Sequence, residues 1–474
     1  NSAILYVISR YGTYIIQFVN SLFIAVYLGP YYLGIWGFIN LVIGYISQLN
    51  LGISHSVNVI ISINKQDEEY IRKIIGNGIS MVLCLSIVFV MFFLLNKIGI
   101  LQIGNKYNFI NYIFPIAIIA VLTHINALFS NIFRVFGKIH AIAINQSLYP
   151  VIVLFVIPFF RGERLLWAML ITNSVVFFIS FVLFLVQSPV NIKPLFEWKV
   201  FKFIQVKGWH LFIYNTSFHL ILLSTKTFIS TNYSVSEFGY FTFSYSLANV
   251  VLLLLNSISF LIFPKMLNRL ATSSNDKINI ILNNVRSAYI SLSHLMIHFV
   301  VMVFPIFLIF FPAYSSTSSV FKITALTVVL YTNSFGYQGV LMAKGKEKLI
   351  GIIALCSLFL NIVLSAVLVY MMNVSFQYVI LSTLVTYLIY VTVIGQFGKI
   401  ILEIPFGFLS TIKEIFPIRM MIPFVLSLIL VFLETPEWFF VMPFILYLIL
   451  NYNETLGVKD IVLKVVNNPN FINI

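Results

Sequence analysis

A lysine, Lys226, lies inside a long apolar run, while all fourteen acidic residues of the chain fall outside such runs. An ammonium held in hydrocarbon costs about 3 kcal/mol or more on insertion scales. A cation kept there without a carboxylate is a charge offered to an anion. On a helical wheel, at about 100° per residue, Asn215, His219, Lys226 and Ser230 align. Arg10, Tyr14, Gln17 and Ser21 share one narrow face of the first apolar run. Asn40, Ser47, Ser54, His55, Asn58 and Ser62 do so in the second. Further along, Thr242, Asn249 and Asn256 recur by heptads, and Ser287, Ser291, His294 and His298 stack.

Amide, hydroxyl and imidazole groups in such stripes can replace water around a polar solute, and Lys and Arg can hold oxyanions. The plain alternative for a lone Ser, Thr or Asn is hydrogen bonding between helices, about 0.6 kcal/mol per contact. Two directions are open to Lys226: the bundle interior, or snorkelling to the outer interface about six residues away. Arg10 has the same choice at the cytoplasmic end of its span, and Lys322 reads as an outer-edge anchor. His294 and His298 are spaced i,i+4 but lack a His-Glu-x-x-His pattern and a third ligand, so no metal site is expected. No nucleophile–base set or paired carboxylate appears. Gly137-Lys138 and Gly345-Lys346 lack the rest of a phosphate-binding loop. Neither catalysis, ATP hydrolysis nor a cofactor is expected.

These side chains must be positioned by membrane helices. With 60% hydrophobic and 9% charged residues, the chain is an all-α polytopic membrane protein rather than a soluble domain. Apolar runs long enough to cross a bilayer place spans near 4–28, 35–63, 74–95, 109–133, 142–160, 165–187, 208–232, 239–263, 288–311, 320–343, 349–370 and 376–397. Two shorter ones, 420–433 and 438–452, form a hairpin turning at Glu434-Thr435-Pro436-Glu437, for about fourteen helices in all. No removable signal-peptide pattern precedes the first span. Cys84 and Cys356 sit mid-span as small core residues.

Arg10, Lys226 and Lys322 aside, Lys97, Lys106, Arg161 and Arg164 fall in one set of alternate loops and every other Lys and Arg in the other set. The positive-inside rule then puts both termini in the cytoplasm, and the net charge of +14 is a topology signal rather than a nucleic-acid footprint. Trp36, Trp167 and Trp438 fall at outer boundaries and Trp198 and Trp209 at a cytoplasmic one, where indoles are favoured.

The first twelve spans read as six plus six. Gly34 and Gly239 follow spans 1 and 7 at an offset of 205 residues, and Gly137 and Gly345 follow spans 4 and 10 at an offset of 208. In that register the stripes of spans 1 and 7 superpose. Even numbers of spans make the two lobes parallel repeats. The expected organisation is a lobe over 1–187, a linker over 188–207, a second lobe over 208–397, and a C-terminal region over 398–474 with an amphipathic segment, two more spans and a tail.

Several motifs in order carry a resemblance. They are Leu28-Gly29-Pro30 before Gly34, the charged Lys65-Gln66-Asp67-Glu68-Glu69, Ser224-Thr225-Lys226-Thr227-Phe228-Ile229-Ser230 before Gly239, and Leu341-Met342-Ala343-Lys344-Gly345-Lys346 leading to Asn361. Over essentially the whole chain the sequence resembles the polysaccharide-transport branch of the multidrug/oligosaccharidyl-lipid/polysaccharide exporter superfamily, and within it bacterial O-antigen flippases. The resemblance implies alternating access of two lobes and an undecaprenyl-diphosphate-linked glycan as cargo. It implies an inner-membrane location, and O-antigen polymerase machinery as a partner within the bilayer. Lys226 and Arg10 would contact the diphosphate or an acidic sugar, and Tyr14, Gln17, Asn40, His55, Asn58, Asn215, His219, Asn249, Asn256, His294 and His298 would line the cavity. Such proteins often carry an acidic residue just before the basic one of span 7, where this chain has Thr225, so ion coupling stays open. A drug/cation antiporter of the same superfamily would need an intramembrane carboxylate, and a glycan polymerase a substantial outer loop. Neither is present in the span map.

Overall fold

The computed structural model describes residues 2–63, 67–190, 193–250, 275–404 and 407–457. Among them all regular structure is helical. Among the described residues eight helices are long and apolar enough to cross a membrane, or nine if one bent pair counts as a span. Fewer than fourteen pass because several expected spans are broken, short or outside the described residues.

The chain divides into two compact units, Asn1–Gly239 and Tyr240–Ile474. The first holds α1 (Ser2–Gln48), α2 (Ile53–Ile63), α3 (Glu68–Lys97), α4 (Ile113–Val135), α5 (Ile139–Val156), α6 (Gly162–Val186) and α7 (Trp198–Asn232). α1 contains two expected spans joined across a kink. Gly29 takes φ 70, and Pro30 has no N–H to carry the ladder through. The expected run 35–63 is likewise interrupted. Leu51 (φ 50) and Gly52 (φ 74) are left-handed, and Asn50 Oδ1 accepts from the Gly52 N–H at 2.8 Å, separating α1 from α2. α3 begins on Asp67, whose carboxylate accepts from the Tyr70 N–H at 2.9 Å, with Glu68 and Glu69 in the positive first turn.

α7, expected to open the second lobe, groups with the first unit because it docks on α1 and α2. Tyr45 and Thr227 hydroxyls lie 2.7 Å apart, and Leu223 sits against Gly44. Where α1 ends, two freed carbonyls are met from α7: Thr216 Oγ1 donates to Gln48 O at 3.1 Å and Gln205 Nε2 to Leu51 O at 3.2 Å. A helix break inside an apolar unit is tolerated when such partners re-satisfy the backbone. Elsewhere in the unit Ile53, Val57 and Ile60 of α2 pack with Ile71 and Ile75 of α3, Phe129 and Phe133 of α4, and Phe184 of α6.

The second unit takes up most of α8 (described over residues 235–250). It continues with α9 (Asn275–Phe310), α10 (Ser318–Leu330), α11 (Tyr337–Ala343), α12 (Glu347–Ala366), α13 (Leu381–Ile401), α14 (Phe408–Ile415), α15 (Ile418–Phe432) and α16 (Val441–Leu450). The expected tenth span is split into α10 and α11 by a 3-10 turn, Tyr331–Ser334, and Gly336 at φ 91. α14 is amphipathic, as expected for this region, and meets α15 at a 71° bend. The two glycines equated by the repeat after spans 4 and 10 terminate their helices identically. Gly137 (φ 71) and Gly345 (φ 68) are left-handed; the Lys138 N–H bonds to Phe133 O and the Lys346 N–H to Leu341 O, both at 2.9 Å. This is the six-to-one cap that glycine at that place permits. Cys84 and Cys356 are exposed on their helices rather than in the core, since their spans face outward at those turns.

Candidate functional site

In the first unit the polar stripes flank the helix-packing faces instead of coinciding with them. α1 meets α5 through Thr13, whose hydroxyl lies 2.6 Å from that of Ser147, and through Asn20, which donates to Pro150 O at 2.7 Å. Tyr14 is buried beside that seam, and Gln17 is half-buried, its carbonyl accepting from Ser21 Oγ at 2.8 Å. Arg10 sits in α1 with its side chain outside the described set, and Asn256 lies outside the described residues. On α7 the residues that face α1 are Thr216, Leu223 and Thr227, so Asn215, His219 and Lys226 fall to one side of the contact. Asn215 and His219 are exposed and Lys226 is half-buried. Asn40 is exposed and returns its amide to Trp36 O at 2.8 Å. His55 is exposed on α2, and Asn58 donates to Asn131 Oδ1 of α4 at 3.1 Å. Open amides and imidazoles together with a half-buried lysine suit a hydroxyl-rich, anionic ligand.

In the second unit Asn249 is half-buried. His294 and His298, expected to line a cavity, are buried inside helix packing instead. His294 Nε2 lies 3.0 Å from Asn333 Oδ1, and the His298 ring is tilted against Tyr447 of α16 at 5.3 Å between centroids, with Ser427 Oγ of α15 at 3.5 Å. The reason is the C-terminal hairpin. Tyr447 donates to Ser291 O at 2.7 Å, so α15 and α16 cover the face of α9 that carries both histidines.

Three charged contacts escaped sequence reading. Arg286 and Lys399, counted among cytoplasmic loop charges, are buried side chains sharing Glu414 of α14 at 3.2 and 2.5 Å. Tyr337 donates to the same carboxylate, and Asn333 Nδ2 donates to Ile415 O at 3.0 Å. At the other end of the unit Lys322 pairs with Glu437 at 2.5 Å and lies 3.7 Å from the Phe440 ring centroid. In the first unit Lys106 donates to the carbonyls of Ser230 and Tyr233 where α7 ends. Partial burial holds its pKa below the ordinary lysine range while the Glu237 carboxylate opposes that shift. Tyr107 adds a 2.7 Å bond to Ser230 O and stacks on Phe38 of α1. Asn131 and Arg134 were also passed over, although Ala127, Asn131 and Arg134 recur at one face of α4. Among the described residues no group of three His, Cys, Asp or Glu is placed to hold a metal ion.

With that geometry in place, the comparisons with known proteins are consistent. The family described as polysaccharide biosynthesis protein matches residues 1–269. Among solved structures, the lipid II flippase MurJ in an inward closed conformation superposes with a TM-score of 0.70 at 15% identity, over 97% of this chain and 100% of that one. An inward-facing MATE multidrug transporter of the MOP superfamily gives 0.71 at 11% identity, over 84% and 98%. A second MATE structure, in a straight conformation, gives 0.58 at 11%, over 84% and 93%. At these identities the likeness is one of fold. No curated protein matches the chain.

Proposed function

We propose that this chain, which belongs to the polysaccharide biosynthesis protein family, is a flippase for undecaprenyl-diphosphate-linked O-antigen repeat units, feeding lipopolysaccharide assembly. It would work in the bacterial inner membrane with both termini in the cytoplasm. The observation that carries the reading is the set of polar side chains the first unit leaves open, Asn40, His55, Asn215 and His219, together with a half-buried Lys226 and no carboxylate in the set. Sugar hydroxyls cross hydrocarbon only if replacement hydrogen bonds are supplied, since each unpaired one costs about 4–8 kcal/mol in an alkane-like medium. Asn and His supply them. Lys226, with Arg10, faces the diphosphate or an acidic sugar, and the polyprenyl tail stays in the bilayer. Two repeat lobes rocking about the site would expose it to either side in turn. An inside-negative potential favours outward movement of an anion by about 2.3 kcal/mol per charge per 100 mV.

The test is deletion followed by lipid extraction. Lipid-linked repeat units accumulate on the cytoplasmic leaflet if the reading holds; unchanged lipid intermediates sink it. Lys226→Ala, with normal protein in the membrane, abolishes surface glycan. The MATE fold supports a second reading, a drug/cation antiporter. It predicts drug resistance on overexpression and no lipid intermediate in the deletion strain.

A further inference from the structure

α7 is longer than a membrane crossing needs. Its 35 residues extend about 52 Å at about 1.5 Å per residue, against about 30 Å for a hydrocarbon core. No Lys, Arg, Asp or Glu stands between Lys207 and Lys226, so the surplus is the N-terminal stretch from Trp198 to His210. That stretch has two sides. Val200, Phe201 and Ile204 pack on the core of the first unit. Gln205 donates to Leu51 O at 3.2 Å, and a Cβ on Gly208 would lie 2.8 Å from Gly52 O. These contacts fix which side is packed and which is turned out.

The outward side mixes two chemistries. Trp198, Phe203, Val206 and Trp209 are 65%, 41%, 62% and 44% exposed. Lys199, Lys202 and Lys207 are exposed among them, with the Lys207 ammonium 5.9 Å from the Phe203 ring centroid. Trp198 stacks on Phe201 at 5.1 Å between centroids. The chain leading into α7 continues the surface with exposed Lys193 and Phe196. It is strapped to α3: the Leu195 N–H donates to Gly76 O at 3.1 Å and the Glu197 N–H to Asn77 Oδ1 at 2.7 Å. Glu197 is the one carboxylate between Lys193 and His210, and it is paired with Lys73 at 2.6 Å.

Water disfavours so much open indole, phenyl and isopropyl surface, and hydrocarbon disfavours three ammonium groups. The headgroup layer suits both, because indoles are favoured there and ammonium groups meet phosphate. We propose that this side of α7, with Lys193 and Phe196, is a binding surface for anionic phospholipid headgroups of the cytoplasmic leaflet. The positive-inside pattern supplies the leaflet. A basic, aromatic surface whose sole carboxylate is already paired supplies the sign of the charge. The partner is the bilayer's own lipid and not the cargo, so the proposal stands apart from the flippase reading. The packed side of the same stretch meets the break between α1 and α2, so bound headgroups would hold α7 on that break. The plain role for these lysines is to orient the span, and that role calls for no particular lipid.

The measurement is tryptophan quenching in the purified full-length protein, reconstituted in phosphatidylcholine vesicles with a minor fraction of brominated lipid. The bromine is carried on acyl carbons close to the glycerol. Trp36→Phe, Trp167→Phe and Trp438→Phe leave Trp198 and Trp209 as reporters. At equal mole fraction, brominated phosphatidylglycerol should occupy the sites beside them about fivefold or more in preference to brominated phosphatidylcholine. Lys199→Gln, Lys202→Gln and Lys207→Gln together should abolish the preference, and Lys199→Arg, Lys202→Arg and Lys207→Arg should keep it. High salt should weaken it. If the reporter variant does not fold, thermal melting of the protein with all its tryptophans decides. Added phosphatidylglycerol should then raise the wild-type midpoint more than phosphatidylcholine does, and the triple Gln variant should lose that difference. Equal effects of the two lipids, or a preference that survives the triple Gln change, overturns the surface. Quenching by aqueous iodide but by neither lipid also overturns it, in favour of a soluble acidic partner.

Discussion

Gly34→Ala is expected to open the junction between the α1 kink and the start of α8. An added Cβ at Gly34 would overlap the Val235 carbonyl oxygen and lie 2.9 Å from both the Val235 carbonyl carbon and its Cγ1. A Cβ on Gly239 would overlap the Pro30 carbonyl oxygen and lie 3.0 Å from the Gly34 backbone nitrogen. Ordinary carbon–oxygen approach is about 3.3 Å or more, so the two backbones must part by about 1 Å. No rotamer change relieves this, because the obstructing atoms are main chain. Overpacking of this kind costs about 1–3 kcal/mol. Around the junction Phe38, Tyr107 and Phe238 are buried against one another, and Lys106 caps the end of α7.

If the proposed alternating-access cycle parts this contact, the substitution penalises only the state in which it is sealed. The sealed-to-open ratio should therefore fall by about 5- to 150-fold. The assay uses Cys84→Ser and Cys356→Ser as background and Val235→Cys as reporter. Val235 is 8% exposed. A membrane-impermeant maleimide, added from each side of the membrane in turn, should label it several-fold faster with Gly34→Ala from one of them. An unchanged labelling rate combined with a lowered melting temperature would refute the reasoning, since the junction would then be static packing.

Glu414→Ala strands Arg286 and Lys399 without their shared carboxylate. A loss of about 3–5 kcal/mol is expected for breaking so buried a pair. Thermal unfolding in detergent should show it as a clear drop in melting temperature, and an unchanged curve contradicts the clamp. His294→Leu removes the partner of Asn333 inside helix packing, so it should lower stability by about 1–3 kcal/mol while the protein that does fold still displays glycan. His219→Ala, on an exposed face, should do the reverse: normal melting and reduced display. Gly52→Ala meets both a positive φ of 74 and the Gly208 carbonyl oxygen at 2.8 Å. It should destabilise the break between α1 and α2 by about 1–3 kcal/mol, readable as faster hydrogen exchange over 48–56, and unchanged exchange there contradicts it.

Helix faces were legible where covalent chemistry dictates them. Gly29-Pro30 had to kink α1, Gly137 and Gly345 had to cap, and the stripe of Asn215, His219 and Lys226 follows from helical geometry alone. The break at 49–52 carried a local signal, Asn50 two residues before Gly52, but the apolar run continues through it and hydropathy passes over the turn. What a polar stripe faces is a different matter. His219 and His294 sit on equally regular stripes, yet one is open and the other is covered by α15 and α16. The element that decides this lies more than a hundred residues away in sequence, and periodicity within one helix contains no term for it.

The same distance separates the cations. Counted along the chain, Arg286, Lys399 and Arg134 all read as loop charges that orient the protein in the bilayer. In the folded chain Glu414 converts the first two into a clamp, holding the bend between α14 and α15 against the body of the second unit. The chain has fourteen acidic residues to twenty-eight Lys and Arg, and at least one carboxylate serves two cations. Neutralisation is therefore a limiting resource, and where the fold places its carboxylates marks which cations are structural.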